Sequence, residues 1–141
     1  MSEPLVLTYE IPDNNFTRAG EASGDVKKKL KKMGFPSEII RKVAIALYEG
    51  EINMVIHANG GEAEVLVYED RIEMILTDRG PGIANIEQAM KEGYSTAPDN
   101  VRSLGFGAGM GLPNMKRYSD DMKIESVVGE GTTITMTVYL V

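Results

Sequence analysis

Glycine sets the limits on what this chain can fold into. Gly34, the Gly60-Gly61 pair, Gly80 with Gly82, the run from Gly105 to Gly111, and Gly129 with Gly131 cut the 141 residues into short segments. Glycine stops helices and makes turns because it enters the left-handed backbone region without steric cost. The segments between these stops hold one or two short elements each, so the core has to come from packing several of them. No apolar run approaches the roughly 20 residues of a membrane span.

The segments have distinct periods. Residues 4–11 alternate as a strand does, and Pro12-Asp13-Asn14-Asn15 ends them. Phe16, Ala19, Ser23, Val26, Leu30 and Met33 then recur at helical spacing, with Gly34 as the stop. Pro36 and Ser37 open a second helix that runs to about Ala58, its apolar side formed by Ile40, Val43, Ala44, Leu47 and Met54. Residues 63–68 and 71–77 read as a hairpin turning at Glu69-Asp70. A glycine-rich turn at 78–82, a short helix near 84–92 and a loop over 93–111 follow. A third long helix is expected from Gly111 to about Ser119, and two strands, about 122–128 and 132–140, flank Gly129-Glu130-Gly131. Hairpins favour antiparallel pairing, so the expected fold is an α/β two-layer sandwich: a mixed, mostly antiparallel sheet with helices on one face.

Bulk properties narrow the function. The length is that of one domain. A net charge of −6 argues against whole-molecule attraction to nucleic acid or an anionic membrane. The absence of cysteine excludes disulfides, thiolate metal ligands and a cysteine nucleophile. The opening Met-Ser-Glu-Pro lacks the basic and apolar regions of a signal peptide, so a cytoplasmic location is expected.

Three motifs carry candidate chemistry. In Glu49-Gly50-Glu51-Ile52-Asn53, Glu49 and Asn53 are four residues apart and share a helix face. Asn53 offers a side-chain oxygen to a hard cation such as magnesium, and Glu49 can orient or deprotonate a hydroxyl or water. Taken alone, the pair also fits a solvated helix face. Glu51 points away from Glu49 onto the more apolar side of the helix, where this reading leaves it solvent or a subunit partner. In Asp78-Arg79-Gly80-Pro81-Gly82, an aspartate at a strand end can accept a hydrogen bond from an adenine amino group, and the glycines let backbone approach a flat ring. A plain strand-ending turn would have the same composition. In Gly105-Phe106-Gly107-Ala108-Gly109-Met110-Gly111-Leu112, alternating glycines lead into a helix, as in an anion cradle of free amides and helix dipole. The run lacks the Gly-Lys-Ser/Thr ending of a Walker loop, and no strand directly precedes it.

Glu-x-x-x-Asn on a helix, Asp-x-Gly-x-Gly after a strand and Gly-x-Gly-x-Gly before a helix follow the order and spacing of the N, G1 and G2 boxes. The sequence resembles the GHKL, or histidine-kinase-like, ATPase superfamily over about residues 5–140. Met90-Lys91-Glu92-Gly93-Tyr94-Ser95-Thr96, Gly111-Leu112-Pro113 and Val128-Gly129-Glu130-Gly131-Thr132 are similar to the small bacterial anti-sigma regulatory factors and serine/threonine switch kinases. The resemblance implies a Bergerat-type ATP-binding fold spanning 1–141 as one domain, with ATP and Mg2+ as cofactors. It casts Glu49 as general base, Asn53 as magnesium ligand, Asp78 as adenine-recognising aspartate, and Gly80 and Gly82 as the adenine-side turn. Gly105, Gly107, Gly109, Gly111 and Leu112 become the lid over the phosphates. The implied activity is serine/threonine phosphorylation of a STAS-domain regulator. The alternatives are a module that holds ATP and sequesters a sigma factor, and a detached histidine-kinase ATPase domain, which the full glycine run resembles. Homodimerisation is implied too, and Arg18 is placed where related kinases use an arginine at the partner surface. The lysines of Lys27-Lys28-Lys29-Leu30-Lys31-Lys32 read as a solvated helix face, and His57 as structural.

Overall fold

A computed structural model of the chain describes residues 3–11, 20–57, 61–80, 90 and 111–140. Its elements, in chain order, are β1 (Leu5–Ile11), α1 (Glu21–Lys32), α2 (Ser37–His57), β2 (Gly61–Val67), β3 (Arg71–Asp78), α3 (Gly111–Arg117), β4 (Asp121–Val127) and β5 (Gly131–Tyr139). The expected helix over 84–92, the loop over 93–111, Phe16 and Ala19 lie outside the described residues, Met90 and Gly111 excepted.

The five strands form one sheet in the order β1-β2-β3-β5-β4. All four pairings are antiparallel. β5 therefore lies between β3 and β4, and the chain from β3 returns to the far edge before β5 closes the gap. Strand alternation puts one set of side chains on the helix side. Leu7, Val65, Met74, Met136 and Met122 stand opposite one another across all five strands. Tyr9, Ala63, Leu76, Ile134 and Ile124 form the next such row. Ala63, Val65, Ile72, Met74, Leu76, Ile134, Met136 and Val138 of the helix-facing set are buried, whereas Glu62, Thr77, Lys123 and Glu125 on the other set are not. This is the expected two-layer sandwich.

α2 is the central helix, packing on α1, on α3 and on the sheet. Val43, Ala46, Leu47 and Val55 are fully buried and Ile52 and Met54 nearly so. Its buried surface thus extends beyond the stripe expected from periodicity, because neighbours cover it on several sides. α1 ends as its glycine requires. Gly34 adopts φ 84°, its N–H donates to the Lys31 carbonyl and the Phe35 N–H to that of Leu30, a Schellman stop. Met33, expected on the apolar stripe, is instead 43% exposed, because it already belongs to this cap. The five lysines of α1 are exposed as expected, and Lys29 pairs with Asp25 at 2.8 Å. Asp25 also accepts the Tyr9 hydroxyl at 2.6 Å, which ties α1 to β1. Hydrogen bonds from Lys29 and then Tyr9 hold the Asp25 carboxyl below its ordinary range. α3 is shorter than expected and stops at Arg117, where Ser119 turns back to cap it through Oγ on the Met115 carbonyl at 2.7 Å. Among the described residues no helix is long and apolar enough to cross a membrane.

Candidate functional site

Glu49 and Asn53 are both half-buried on α2. Their height over the sheet follows from the residues beside them. A Cβ on Gly50 would stand 2.7 Å from Leu76 Cδ2, so the α2 backbone lies close over β3 there. One turn on, Met54 Cε lies 2.6 Å from where a Cβ on Gly61 would be, and Gly61 pairs with Asp78. The stretch 49–54 is therefore laid over the C-terminal end of β3, the end that carries Asp78. Burial pushes the Glu49 carboxyl above its ordinary value of 4.5, opposed by a side-chain hydrogen bond from Asn114 on α3. A proton acceptor at neutral pH gains strength from such a shift.

Asp78 is the last residue of β3. Its Oδ1 accepts the Gly80 N–H at 2.9 Å and the Thr132 N–H at 3.2 Å. One bond closes its own turn and the other reaches β5, so the carboxylate is held at a fixed orientation. Glycine is required on both flanks. Gly131 has φ 135° and a Cβ there would meet the Asp78 carbonyl oxygen at 2.2 Å; Gly61 has φ 155° and would meet that of Thr77 at 2.2 Å. Neither carbonyl can move without breaking the sheet. Thr132 is 6% exposed and its hydroxyl lies 2.8 Å from that of Ser126.

Gly80 is buried in the turn after β3, and Gly111 opens α3. Leu112 is 7% exposed and joins the core, fixing the start of α3 against the rest of the fold. Gly82, Gly105, Gly107, Gly109 and Arg18 lie outside the described residues, as does the side chain of His57. Among the described residues the structure thus brings Glu49, Asn53, Asp78 and Gly80 to one end of the sheet.

Glu51 corrects the sequence reading. It faces neither solvent nor a subunit partner: it is 2% exposed inside the protein. Its Oε2 accepts the N–H groups of Gly20 at 3.1 Å and Ala22 at 3.2 Å, and its Oε1 that of Ser23 at 2.7 Å. The N-cap of α1 is Gly20, which has no side chain with which to cap. Glu51 supplies that cap from α2, satisfying the amides a helix leaves open at its start and complementing its dipole. Sequence reasoning also missed Asn114 and the Thr132 amide. Neither gives a local signal, since each partner lies tens of residues away along the chain.

A family profile described as "Histidine kinase-like ATPase domain" matches residues 15–138. The serine/threonine-protein kinase RsbT of Bacillus subtilis is 32% identical over 114 residues, covering 78% of this chain and 80% of that protein. An anti-sigma F factor of Clostridium acetobutylicum is 39% identical over 104 residues, covering 70% of this chain and 69% of that one. Among solved structures, the RsbU and RsbW domains of a Mycobacterium tuberculosis protein superpose with a TM-score of 0.64 at 17% identity. That match covers 99% of this chain and 33% of the other, and it speaks to the fold.

Proposed function

Because this chain belongs to the histidine kinase-like ATPase domain family, we propose that it binds ATP with magnesium and transfers the γ-phosphoryl group to a serine or threonine of a STAS-domain regulator. The observation that carries this reading is the placement of Glu49 and Asn53 on α2 over the strand end where Asp78 is pinned between two backbone amides. Asp78 would take the adenine amino group on Oδ2, its Oδ1 being engaged by Gly80 and Thr132. Closely approached backbone at Gly61 and Gly131 leaves no room for side chains beside it.

The donors suit magnesium that arrives with a nucleotide. Among the described residues no group of three or more histidine, cysteine or acidic side chains stands ready to hold a metal alone. Magnesium is commonly held by one or two protein oxygens plus substrate phosphates, and Asn53 offers such an oxygen. When bound, the ion would neutralise charge on the phosphate chain. Glu49, one helical turn away, would accept the proton of the attacking hydroxyl, and its partly buried position favours a base that is not quenched by water. A pure binding module has no need of such a base.

Incubation with γ-labelled ATP and a panel of STAS-domain proteins tests the reading. Label should appear on a serine or threonine of one partner, and Glu49→Gln should slow its transfer by about 10²–10⁴-fold. ATP binding with neither transfer nor hydrolysis would instead favour a nucleotide-dependent module that sequesters a sigma factor. No ATP binding at all would overturn both.

A further inference from the structure

Asn114 belongs to none of the three motifs, yet the fold sets it against Glu49. It lies three residues into α3, on a helix that packs along α2. The contact is close: Met115 Cε lies 3.4 Å from where a Cβ on Gly50 would stand. The Asn114 side chain is half-buried. Its Oδ1 accepts from Arg117 Nη1 at 3.5 Å, and the side chain also hydrogen-bonds Glu49. Those two partners dictate which way the carboxamide points. A guanidinium only donates, so it takes the oxygen; an ionised carboxylate only accepts, so it takes the amino group. The bond to Glu49 crosses from one helix to another, from α3 to α2.

We propose that Asn114 is a positioning residue for phosphoryl transfer, holding the Glu49 carboxylate in the rotamer that faces the acceptor hydroxyl. This rests on the reading of Glu49 as the base. A glutamate on a helix has three side-chain torsions and several staggered rotamers open to it. A general base works only within hydrogen-bond reach of its proton, and misplacement by about 1 Å can cost on the order of 10²-fold in rate. A donor on the neighbouring helix selects one rotamer before substrate arrives. Glu51, two residues along α2, is fixed by α1 in the same manner, so both carboxylates of this turn are oriented by neighbouring helices.

The test uses the full chain. Asn114→Ala should lower kcat by about tenfold and Asn114→Asp by about 10²-fold, with the ATP dissociation constant within about threefold of wild type. Asp keeps the shape of Asn, removes the donor and sets a negative charge against Glu49. Were Asn114 only packing, Asp would do at least as well as Ala, since an acid near the start of a helix is favourable. Asn114→Ala should also cost nothing further in a Glu49→Ala background, because it acts through Glu49. A second arm needs no activity. In urea unfolding of the nucleotide-free protein, the two alanine substitutions should fail to multiply by roughly 3- to 30-fold in the unfolding constant. Independent effects in both cycles, or Asp matching wild type in kcat, would overturn the proposal. If the wild type transfers no phosphoryl group, the kinase reading falls and takes the catalytic role of Asn114 with it. The unfolding cycle then still decides whether Asn114 holds Glu49, and multiplying effects there would remove the pairing as well.

Discussion

Glu51 offers the sharpest test of how this fold is held. Its carboxylate is 2% exposed and accepts from three backbone N–H groups at 3.1, 3.2 and 2.7 Å. Hydrogen bonds to charged groups contribute about 1.5–3 kcal/mol each, so as independent bonds the three would total about 4.5–9 kcal/mol. They are not independent. One carboxylate serves all three, so removing it does not cost three separate bonds. Glu51→Ala is therefore expected to cost about 3–5 kcal/mol, well above the roughly 1 kcal/mol of an ordinary helix cap. Glu51→Gln keeps the shape and one acceptor but turns an NH2 toward donors, and about 2–3 kcal/mol is expected. Natural domains hold about 5–15 kcal/mol in total, so either loss is large. Urea unfolding followed by circular dichroism should show a lower midpoint at unchanged m value. The loss should persist from low to high salt, because a buried interaction is little screened. Amide exchange should accelerate at Ala22 and Ser23. The exposed Glu62→Gln is the control and should stay within about 0.5 kcal/mol of wild type. A Glu51→Gln protein as stable as that control, with both amides still protected, would refute the capping argument.

Asp78→Asn should weaken ATP binding by about 1.5–3 kcal/mol in calorimetry, and wild type should bind GTP poorly; equal ATP and GTP affinity would remove the adenine role of Asp78. Gly131→Ala should cost more than about 3 kcal/mol in urea unfolding, since its Cβ would lie 2.2 Å from the Asp78 carbonyl oxygen; a variant near wild type would mean that β3 and β5 separate more easily than their pairing implies. Glu49 supplies a pH signature. Burial raises its folded value above 4.5, so the folded state binds the proton more tightly than the unfolded one, and its contribution is full below pH 4.5 and lost as pH rises through the folded value. Wild-type stability relative to Glu49→Gln should therefore decline from acid to neutral pH; a difference that grows with pH would reverse the sign of the burial effect.

Much of this protein is written locally. Glycine and proline positions place the strand and helix ends because backbone freedom is a property of single residues: Gly34 adopts the positive φ that stops α1, and the helix begun at Ser37 runs to His57 as its periodicity implies. Glu49 and Asn53 are legible because a four-residue spacing on a helix fixes a shared face whatever surrounds it. Asp78 is legible as the end of a strand before a glycine turn. The motifs together identify the family, since their order along the chain is itself a sequence property.

Tertiary structure decided what depends on partners far apart in the chain. Sequence spacing turns Glu51 away from Glu49, but whether that direction meets water or another helix depends on where α1 packs, and it meets the open amides of Gly20, Ala22 and Ser23. The insertion of β5 between β3 and β4 is a choice of pairing, and it brings the Thr132 amide to Asp78 across 54 residues of chain. Asn114 reads as an ordinary polar residue of a short helix until α3 is laid along α2 and its amide finds Glu49. Periodicity and turn chemistry act over a few residues, whereas a hydrogen bond between elements exists only once the core has set their distance and direction.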